Sequence, residues 1–327
     1  MTMPTYVVEV EALRRERAAA GIRSLAELTV EEARTAERLE LQSRTVEREA
    51  VALVVDRSID GIPVRCYLPE STQPLPALVW FPGGGWVLGS VETTDAVCRR
   101  IANTTPCAVV AVDYRRAPEY PFPAAVEDAY AATTGVVAES AALGIDAGRV
   151  AVGGASAGGN LATVVAQLCR DCHGPALALQ LLVYPATDFR SDTPSRREAL
   201  DPYFFNRDDL AWCWSHYLAA DEDGDDPRAS PLHAPDCSRL PPALVLTAEH
   251  DPLRDEAEQY ARRLASSGVA VDLVRYEGVP HGFFSMPDTL AAAADARERA
   301  AAALASALSA VAPAANGSSA TERARSS

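Results

Sequence analysis

Six short apolar runs, separated mostly by helical segments, constrain the fold of this chain more than any other feature. They lie at residues 76–81, 107–114, 149–154, 177–184, 242–248 and 269–276. A strand with one face in water alternates apolar and polar residues, whereas these runs are almost uniformly apolar. Strands buried on both faces and alternating with helices are typical of a mostly parallel sheet that helices cover on both sides. The sequence therefore predicts an α/β fold.

The patterns around these runs complete the expected order of elements. Helical segments are expected at 91–104, 123–142, 157–172, 253–267 and, rich in alanine, 288–311. Two polar-faced helices are expected within residues 5–41, and residues 46–55 and 62–68 show the partial alternation of antiparallel strands. Residues 312–327 are of low complexity and are expected to be disordered.

One long connection interrupts the alternation of strands and helices. Almost 60 residues separate the fourth apolar run from the fifth, although a connection of this kind is usually short. A helical segment within it has four large side chains on one face, which favours packing against the core: Leu210, Trp214, Tyr217 and Leu218. We expect this insertion to form a lid or cap above the carboxyl edge of the sheet, where ligands bind in folds of this class.

The charge balance and the basic residues exclude several functions. The formal net charge is -15 and the sequence pI is about 4.8. Binding to nucleic acid or to an anionic membrane surface requires clustered basic residues, so neither partner is expected. All 30 basic residues are arginine. A Schiff-base lysine, a Ser-Lys dyad and a P-loop lysine are therefore all excluded.

The N-terminal segment and the cysteines favour a soluble cytoplasmic protein. The first residues do not have the basic start and apolar core of a signal peptide, and no run approaches the roughly 18 apolar residues of a membrane span. The seven cysteines are an odd number and are scattered, which favours reduced, buried thiols. Residues 169–173 hold a single CxxC next to a histidine, and a zinc site would need a second pair. No metal is expected.

Residues 154–158 contain a serine in a context that favours a nucleophile. Their sequence, Gly-Ala-Ser-Ala-Gly, follows an apolar strand and precedes a helix. Glycines two residues before and two after a serine allow strand and helix to approach each other around a strained turn, which exposes the serine hydroxyl at the sheet edge. Ser156 could instead be a helix N-cap in an ordinary turn. The combination of strand, turn and helix favours the nucleophile.

A serine nucleophile requires a histidine base and an acid that orients the histidine. In folds with this turn the three residues follow in the order serine, acid, histidine. Asp251 lies just after a strand, and His281, the only histidine that follows it, lies after the next strand. Asp251 could instead cap a helix, and His281 could be a turn residue. Glu249 and Asp255 are alternative acids.

Three consecutive glycines suit the stabilisation of an oxyanion. Attack on an ester carbonyl generates an oxyanion, which requires preorganised N–H donors. In this kind of fold one donor is the residue after the nucleophile, here Ala157, and others come from the loop after the third strand. The sequence Pro-Gly-Gly-Gly-Trp at 82–86 lies in that loop, and its glycines allow backbone N–H groups to face a substrate.

These motifs resemble the hormone-sensitive-lipase-like esterases, also called bacterial family IV, of the α/β-hydrolase fold. The matching stretches are PGGGW, DYRRAPEYPFPAAVEDAY, GGASAGGNLA, YPATDF, DPLRDE and PHGF, which span about residues 45–285. The resemblance implies a catalytic triad and three oxyanion donors: Ser156, Asp251 and His281, with Gly84, Gly85 and Ala157. It also implies a small ester substrate with a short or medium acyl chain, and the ability to form a homodimer. The mechanism requires no cofactor.

The resemblance also implies a division of the chain into a hydrolase core and a helical cap. The cap consists of residues 1–44 and 187–235, the core of residues 45–186 and 236–311, and the tail of residues 312–327. Two positions depart from the family pattern: Pro82 stands where the family has histidine, and Ala155 where it has aspartate. Because of the altered glycine loop, a non-hydrolytic enzyme (an acyltransferase, lactone cyclase or eliminating enzyme) is an alternative function. A ligand-binding protein is a second alternative, because plant gibberellin receptors resemble the same family.

Overall fold

A computed structural model describes residues 4–43 and 48–309 of the chain and contains one central sheet of eight strands. The strands are β1 (Leu53–Ile59), β2 (Ile62–Leu68), β3 (Leu75–Phe81), β4 (Ala108–Val112), β5 (Ile145–Ala155), β6 (Gln180–Val183), β7 (Ala243–His250) and β8 (Val271–Pro280). Their spatial order is β1-β2-β4-β3-β5-β6-β7-β8. β2 is antiparallel to β1 and β4, and all other neighbours are parallel, so the predicted mostly parallel sheet is confirmed.

Helices cover the sheet on both faces. They are α1 (Val8–Ala19), α2 (Val30–Ser43), α3 (Asp95–Thr104), α4 (Ala124–Ala138), α5 (Ser140–Leu143), α6 (Ala157–Asp171), α7 (Pro194–Glu198), α8 (Arg207–Tyr217), α9 (Arg254–Ser266) and α10 (Ala291–Ser309). Successive side chains of a strand point to opposite faces. Accordingly, Val79 lies in the apolar core beneath α4, α6 and α9, whereas Leu78 lies in the core beneath α3 and α10. This two-sided burial explains why the strands are uniformly apolar.

The first predicted strand is misplaced. It was expected over residues 46–55, but β1 extends from Leu53 to Ile59. A two-residue loop, Asp60-Gly61, joins it to β2, and both residues have the positive φ angles that such tight hairpins require. The loop pairs Ile59 with Ile62, and the ladder then ends at the pair Leu53 and Leu68. The position of the turn, not the alternation before it, therefore sets where β1 begins.

The N-terminal helices pack against the insertion that follows β6. The Ser24 hydroxyl donates to the Asp209 carboxylate, and the Trp212 indole N–H donates to the Leu28 carbonyl at 3.0 Å. The Arg14 guanidinium pairs with Asp201 at 2.6 Å. The four large side chains predicted to share a face of the insertion helix are all buried, as expected. The two segments assigned to a cap are therefore in contact with each other.

The remaining sequence expectations concern thiols, membrane spans and the C-terminal tail. All seven cysteines are free, and six of them are buried, as predicted, whereas Cys172 is exposed. Among the helices of residues 4–43 and 48–309, none has the length and apolar character needed to cross a membrane. The expected disorder of 312–327 lies outside the described residues.

Candidate active site

Ser156 occupies a strained turn between β5 and α6. It has φ 60° and ψ −121°, a conformation that non-glycine residues rarely adopt. The flanking glycines make this turn sterically feasible. A Cβ at Gly158 would overlap the carbonyl oxygen of Phe81 and lie 2.7 Å from that of Pro82, and a Cβ at Gly154 would lie 2.7 Å from Phe81 O. The turn expected from the sequence is present, with the serine at its apex.

Gly158→Ala is expected to destabilise the fold, because the new methyl group overlaps backbone that has no free space to move into. Alanine normally stabilises a helix relative to glycine, so a loss here would have the opposite sign to helix propensity. We expect a loss of roughly 1–3 kcal/mol in the free energy of unfolding, as for other overpacked sites. Chemical denaturation measures it, with Gly148→Ala as the control. A Cβ at Gly148 has its nearest neighbour at 3.4 Å, so both variants unfolding alike would contradict the steric explanation.

The three residues predicted from chain order lie together at one edge of the sheet. Asp251 and His281 directly follow β7 and β8, which are parallel to each other. The His281 Nε2 lies 3.0 Å from Ser156 Oγ, and its Nδ1 lies 2.7 Å from Asp251 Oδ2. The second Asp251 oxygen accepts from the Leu253 N–H at 2.8 Å. With Nδ1 protonated toward the carboxylate, Nε2 is left as the acceptor for the serine hydroxyl.

The two alternative acids have other partners. The Glu249 carboxylate accepts from the Gly278 N–H at 2.7 Å. The Asp255 carboxylate accepts from the Ser195 N–H at 2.8 Å and pairs with Arg254 at 2.8 Å. The Glu249 side chain thus joins β7 to β8, and the Asp255 side chain joins α9 to α7. The carboxylate that meets the imidazole is that of Asp251.

Two aromatic rings hold the imidazole of His281. The Tyr184 ring lies 4.5 Å from it, centroid to centroid, and the Phe205 ring lies 4.7 Å from it at an interplanar angle of 32°. Tyr184 belongs to the core, and its burial raises the pKa of its hydroxyl. Phe205 belongs to the insertion, just before α8. Sequence reasoning missed Phe205, because nothing in the insertion indicated which of its aromatic side chains would reach the histidine.

The glycine loop lies beside Ser156. A Cβ at Gly83 would lie 3.5 Å from the Ser156 Cβ and 2.8 Å from the Ala155 carbonyl oxygen. Gly84 has φ 119° and Gly85 has φ 59°, both in the region that favours glycine. Within the described part of the chain, the N–H groups of Gly84, Gly85 and Ala157 form no hydrogen bond to protein acceptors.

The loop is packed from behind by the insertion helix α8. A Cβ at Gly85 would lie 2.8 Å from the Cβ of Cys213 and overlap its sulfur, so the backbone there lies directly against that side chain. The Trp86 ring stacks on Tyr217 with centroids 4.1 Å apart and an interplanar angle of 2°, and it meets Trp214 at 4.5 Å. Because Gly85 has no side chain, the insertion helix can pack directly against the backbone of the loop. The sequence motif did not indicate this role.

The backbone of Pro82, at the start of the glycine loop, has a buried hydrogen-bond partner. Its carbonyl oxygen accepts from the Tyr114 hydroxyl at 2.8 Å. Tyr114 is buried, which raises the pKa of its phenol and keeps it a donor. Tyr114 lies within the motif DYRRAPEYPFPAAVEDAY, so the sequence indicated its neighbourhood but not this contact.

A buried carboxylate anchors the start of the insertion. The Glu256 carboxylate accepts from the N–H groups of Thr187 and Asp188 at 2.8 and 3.1 Å and pairs with Arg196 at 3.0 Å. Burial raises the pKa of Glu256 to about 7. No group of three or more histidine, cysteine or acidic side chains in residues 4–43 and 48–309 is placed to hold a metal ion.

The turn at the serine joins a strand to a helix at the carboxyl edge of a mostly parallel sheet. A carboxylate and a histidine that follow later strands meet the serine there. Together these features define the α/β-hydrolase class of protein. A family profile described as the α/β-hydrolase fold matches residues 78–285. The chain belongs to this family, and the resemblance to the hormone-sensitive-lipase-like esterases is confirmed.

Two relatives and a solved structure agree with this assignment. The chain is 46% identical over 243 residues to the carboxylic ester hydrolase LipN of Mycobacterium tuberculosis, an alignment that covers 71% of this chain and 65% of LipN. It is 42% identical to the carboxylesterase NlhH of the same organism, with 76% of this chain and 80% of NlhH covered. A hyperthermophilic esterase from the archaeon Pyrobaculum calidifontis is 42% identical and superposes with a TM-score of 0.87, with 93% of this chain and 99% of that chain covered.

Proposed function

We propose that this protein is a serine carboxylesterase that hydrolyses small esters through an acyl-enzyme. The observation that carries the proposal is the hydrogen-bonded line from Asp251 through His281 to Ser156, with distances of 2.7 and 3.0 Å. A histidine in this position can take the hydroxyl proton, and a carboxylate behind it fixes the tautomer and stabilises the imidazolium. Relatives named as carboxylic ester hydrolases support the same reaction class.

The reaction proceeds in two halves. In the first, Ser156 Oγ bonds to the ester carbonyl carbon while its proton moves to His281 Nε2, and the carbonyl oxygen becomes an oxyanion. Collapse of this intermediate breaks the bond to the alcohol, which leaves with the proton from the histidine. In the second half, water gives a proton to the same nitrogen, attacks the acyl-enzyme and releases the acid. Ser156 then recovers its proton.

The oxyanion donors in this proposal are the N–H groups of Gly84, Gly85 and Ala157. Support comes from the position of the loop, since its first glycine approaches the serine Cβ, and from the absence of protein acceptors for these three groups in the described residues. Ala157 is the first residue of α6, so its N–H lies at a helix N-terminus, where partial positive charge favours an anion. Removal of one such donor typically costs about 10²–10³ in rate.

In the same proposal, the insertion and the N-terminal helices form the cap that selects the substrate. A cavity of about 460 Å³ lies within the insertion, bordered among others by Phe189, Leu210, Trp214 and Leu218. Trp214 also packs on Trp86 of the glycine loop, with centroids 4.5 Å apart, so one side chain borders the cavity and contacts the loop. The preference for short and medium acyl chains rests on the family resemblance, and the cavity is a place where the insertion could bind part of a small ligand.

Two measurements test the function together. The first is hydrolysis of p-nitrophenyl esters from C2 to C12, with the largest kcat/KM expected on short chains. The second is inactivation by an alkyl p-nitrophenyl phosphonate, which should release one p-nitrophenol per active site as phosphorus bonds to the serine. Trypsin cuts after Arg149 and Arg170, and the peptide 150–170 contains one serine. The phosphonyl adduct is expected on that peptide.

Two results would contradict the proposal. Folded protein that turns over no ester of any chain length would favour a ligand-binding role. Turnover that persists after complete phosphonylation of the peptide 150–170 would exclude Ser156 as nucleophile. The cytoplasmic location and the homodimer stay predictions, and sedimentation velocity measures the second directly.

A further inference from the structure

The altered glycine loop raises the question of what holds it in place, since Pro82 has neither an N–H nor a polar side chain. We propose that the N-terminal helix α2 does so, with Glu37 and Arg34 as positioning residues for the oxyanion donors. This inference rests on the proposed function, because it assigns a role in the stabilisation of the oxyanion. Both side chains lie on a helix that precedes the sheet and is far from the catalytic residues in sequence.

Glu37 holds the end of the glycine loop. Its carboxylate accepts from the Gly89 N–H at 3.0 Å, and on the other side of the same residue the Gly89 carbonyl accepts from the Arg116 guanidinium. A Cβ at Gly89 would lie 3.0 Å from the carbonyl carbon of Gly83 and overlap its oxygen. The residue held by these two charged groups therefore lies directly against the start of the loop.

Arg34 holds the middle of the same loop. Its Nε donates to the Val87 carbonyl at 3.1 Å and one Nη donates to the Ala117 carbonyl at 2.9 Å. The guanidinium is oriented by Glu119, whose two carboxylate oxygens accept at 2.6 and 2.8 Å. The Ala117 N–H in turn donates to the Trp86 carbonyl at 3.0 Å. One arginine thus joins two backbone segments that already contact each other.

These contacts connect to the donors through a tight turn. The N–H groups of Val87 and Leu88 both donate to the Gly84 carbonyl, at 3.2 and 2.8 Å. The Gly84 carbonyl belongs to the same peptide unit as the Gly85 N–H, so the turn fixes the direction of that donor. A shift of Val87 or Gly89 away from α2 would therefore rotate a peptide whose N–H is proposed to face the oxyanion.

The carboxyl group of Glu37 is partly buried and lies near two cationic side chains. Burial raises the pKa of its carboxyl group, while the Gly89 N–H and the nearby Arg116 and Arg34 favour the charged form. A hydrogen bond from a backbone N–H to an ionised carboxylate is roughly twice as strong as a neutral one. On the same helix, Glu31 is exposed in the first turn and forms no hydrogen bond with the glycine loop within the described residues.

The test compares Glu37→Leu with Glu37→Gln and with the control Glu31→Leu. We expect Glu37→Leu to lower kcat on p-nitrophenyl acetate by about 10- to 100-fold. The loss should be smaller than on deletion of an oxyanion donor, because the Gly85 N–H is displaced but still present. KM should change little, because the ester ground state does not yet carry the oxyanion charge. Affinity for a trifluoromethyl ketone, which forms an oxyanion on the serine, should fall in proportion to kcat.

Glu37→Gln keeps an oxygen that can accept from the Gly89 N–H, so it should retain most of the wild-type kcat, as should Glu31→Leu. A wild type that hydrolyses no ester overturns the proposed function and this inference with it. An active wild type whose Glu37→Leu variant keeps its kcat overturns the inference alone. The inference also fails if the loss of kcat only matches a loss of folded protein in a thermal melt, or if Glu37→Gln is as impaired as Glu37→Leu.

Discussion

Ser156→Ala is expected to lower kcat on short-chain p-nitrophenyl esters by about 10⁶-fold, because it removes the atom that forms the acyl-enzyme. Alanine has no hydroxyl to give a proton to His281 Nε2, which lies 3.0 Å from Ser156 Oγ. The proposed oxyanion donors are backbone groups and remain, so a residual acceleration of about 10³–10⁴ over water should persist. The fold should be unaffected, since alanine adopts the same backbone conformation no worse than serine.

The measurement is kcat on p-nitrophenyl acetate at equal concentrations of folded protein. Ser266→Ala is the control, because Ser266 is an exposed serine at the end of α9 and lies outside the site. The control should match the wild type. A Ser156→Ala variant that hydrolyses the ester at a rate within tenfold of the wild type would exclude the acyl-enzyme at this residue.

Asp251→Asn is expected to lower kcat by about 10⁴-fold, the size of the effect in serine proteases, while the protein keeps its structure. The carbonyl oxygen of the new side-chain amide can still accept from the Leu253 N–H, as Asp251 Oδ1 does at 2.8 Å. The amide NH₂ then faces His281 Nδ1, where the carboxylate oxygen of the wild type lies at 2.7 Å. A donor in that position stabilises the tautomer whose proton is on Nε2, and this histidine cannot accept the serine proton.

Two matched variants decide between the candidate acids. Glu249→Gln and Asp255→Asn remove the same charge from neighbouring positions whose carboxylates bind Gly278 and Ser195 rather than the histidine. Each should change kcat by less than about tenfold, since it disturbs only contacts outside the hydrogen-bonded line from Asp251 to Ser156. If either lowers kcat as strongly as Asp251→Asn does, the assignment of the acid to Asp251 is wrong. Melting curves on all three variants separate loss of fold from loss of chemistry.

The sheet and the three residues at its edge could be predicted because both follow from local sequence patterns. A strand buried on two faces is uniformly apolar, and this pattern needs no knowledge of its neighbours. The turn at 154–158 demands glycines at fixed spacing, so its sequence specifies its shape. The start of β1 was predicted wrongly because its register depends on the Asp60-Gly61 turn and on the length of β2.

The contacts that position the site could not be predicted, because they join residues distant in sequence and depend on side-chain directions. Phe205 reaches His281, and Cys213 reaches Gly85, across long stretches of chain. Glu37 is one of several acids on α2, and only the placement of that helix distinguishes it. Propensity and periodicity assign residues to helices and strands, but not to partners in other elements.

The contact between Cys213 and the glycine loop bears on how inhibitor profiles of this protein are interpreted. The thiol is buried directly behind Gly85, and a Cβ at that glycine would already overlap the sulfur. A mercurial or alkyl group on the sulfur has no space unless the loop or α8 moves, and displacement of closely packed atoms in a core costs free energy. Because burial also raises the pKa of the Cys213 thiol, its reaction with such reagents should be slow, and any loss of activity that follows it would indicate displacement of the glycine loop and not a cysteine nucleophile.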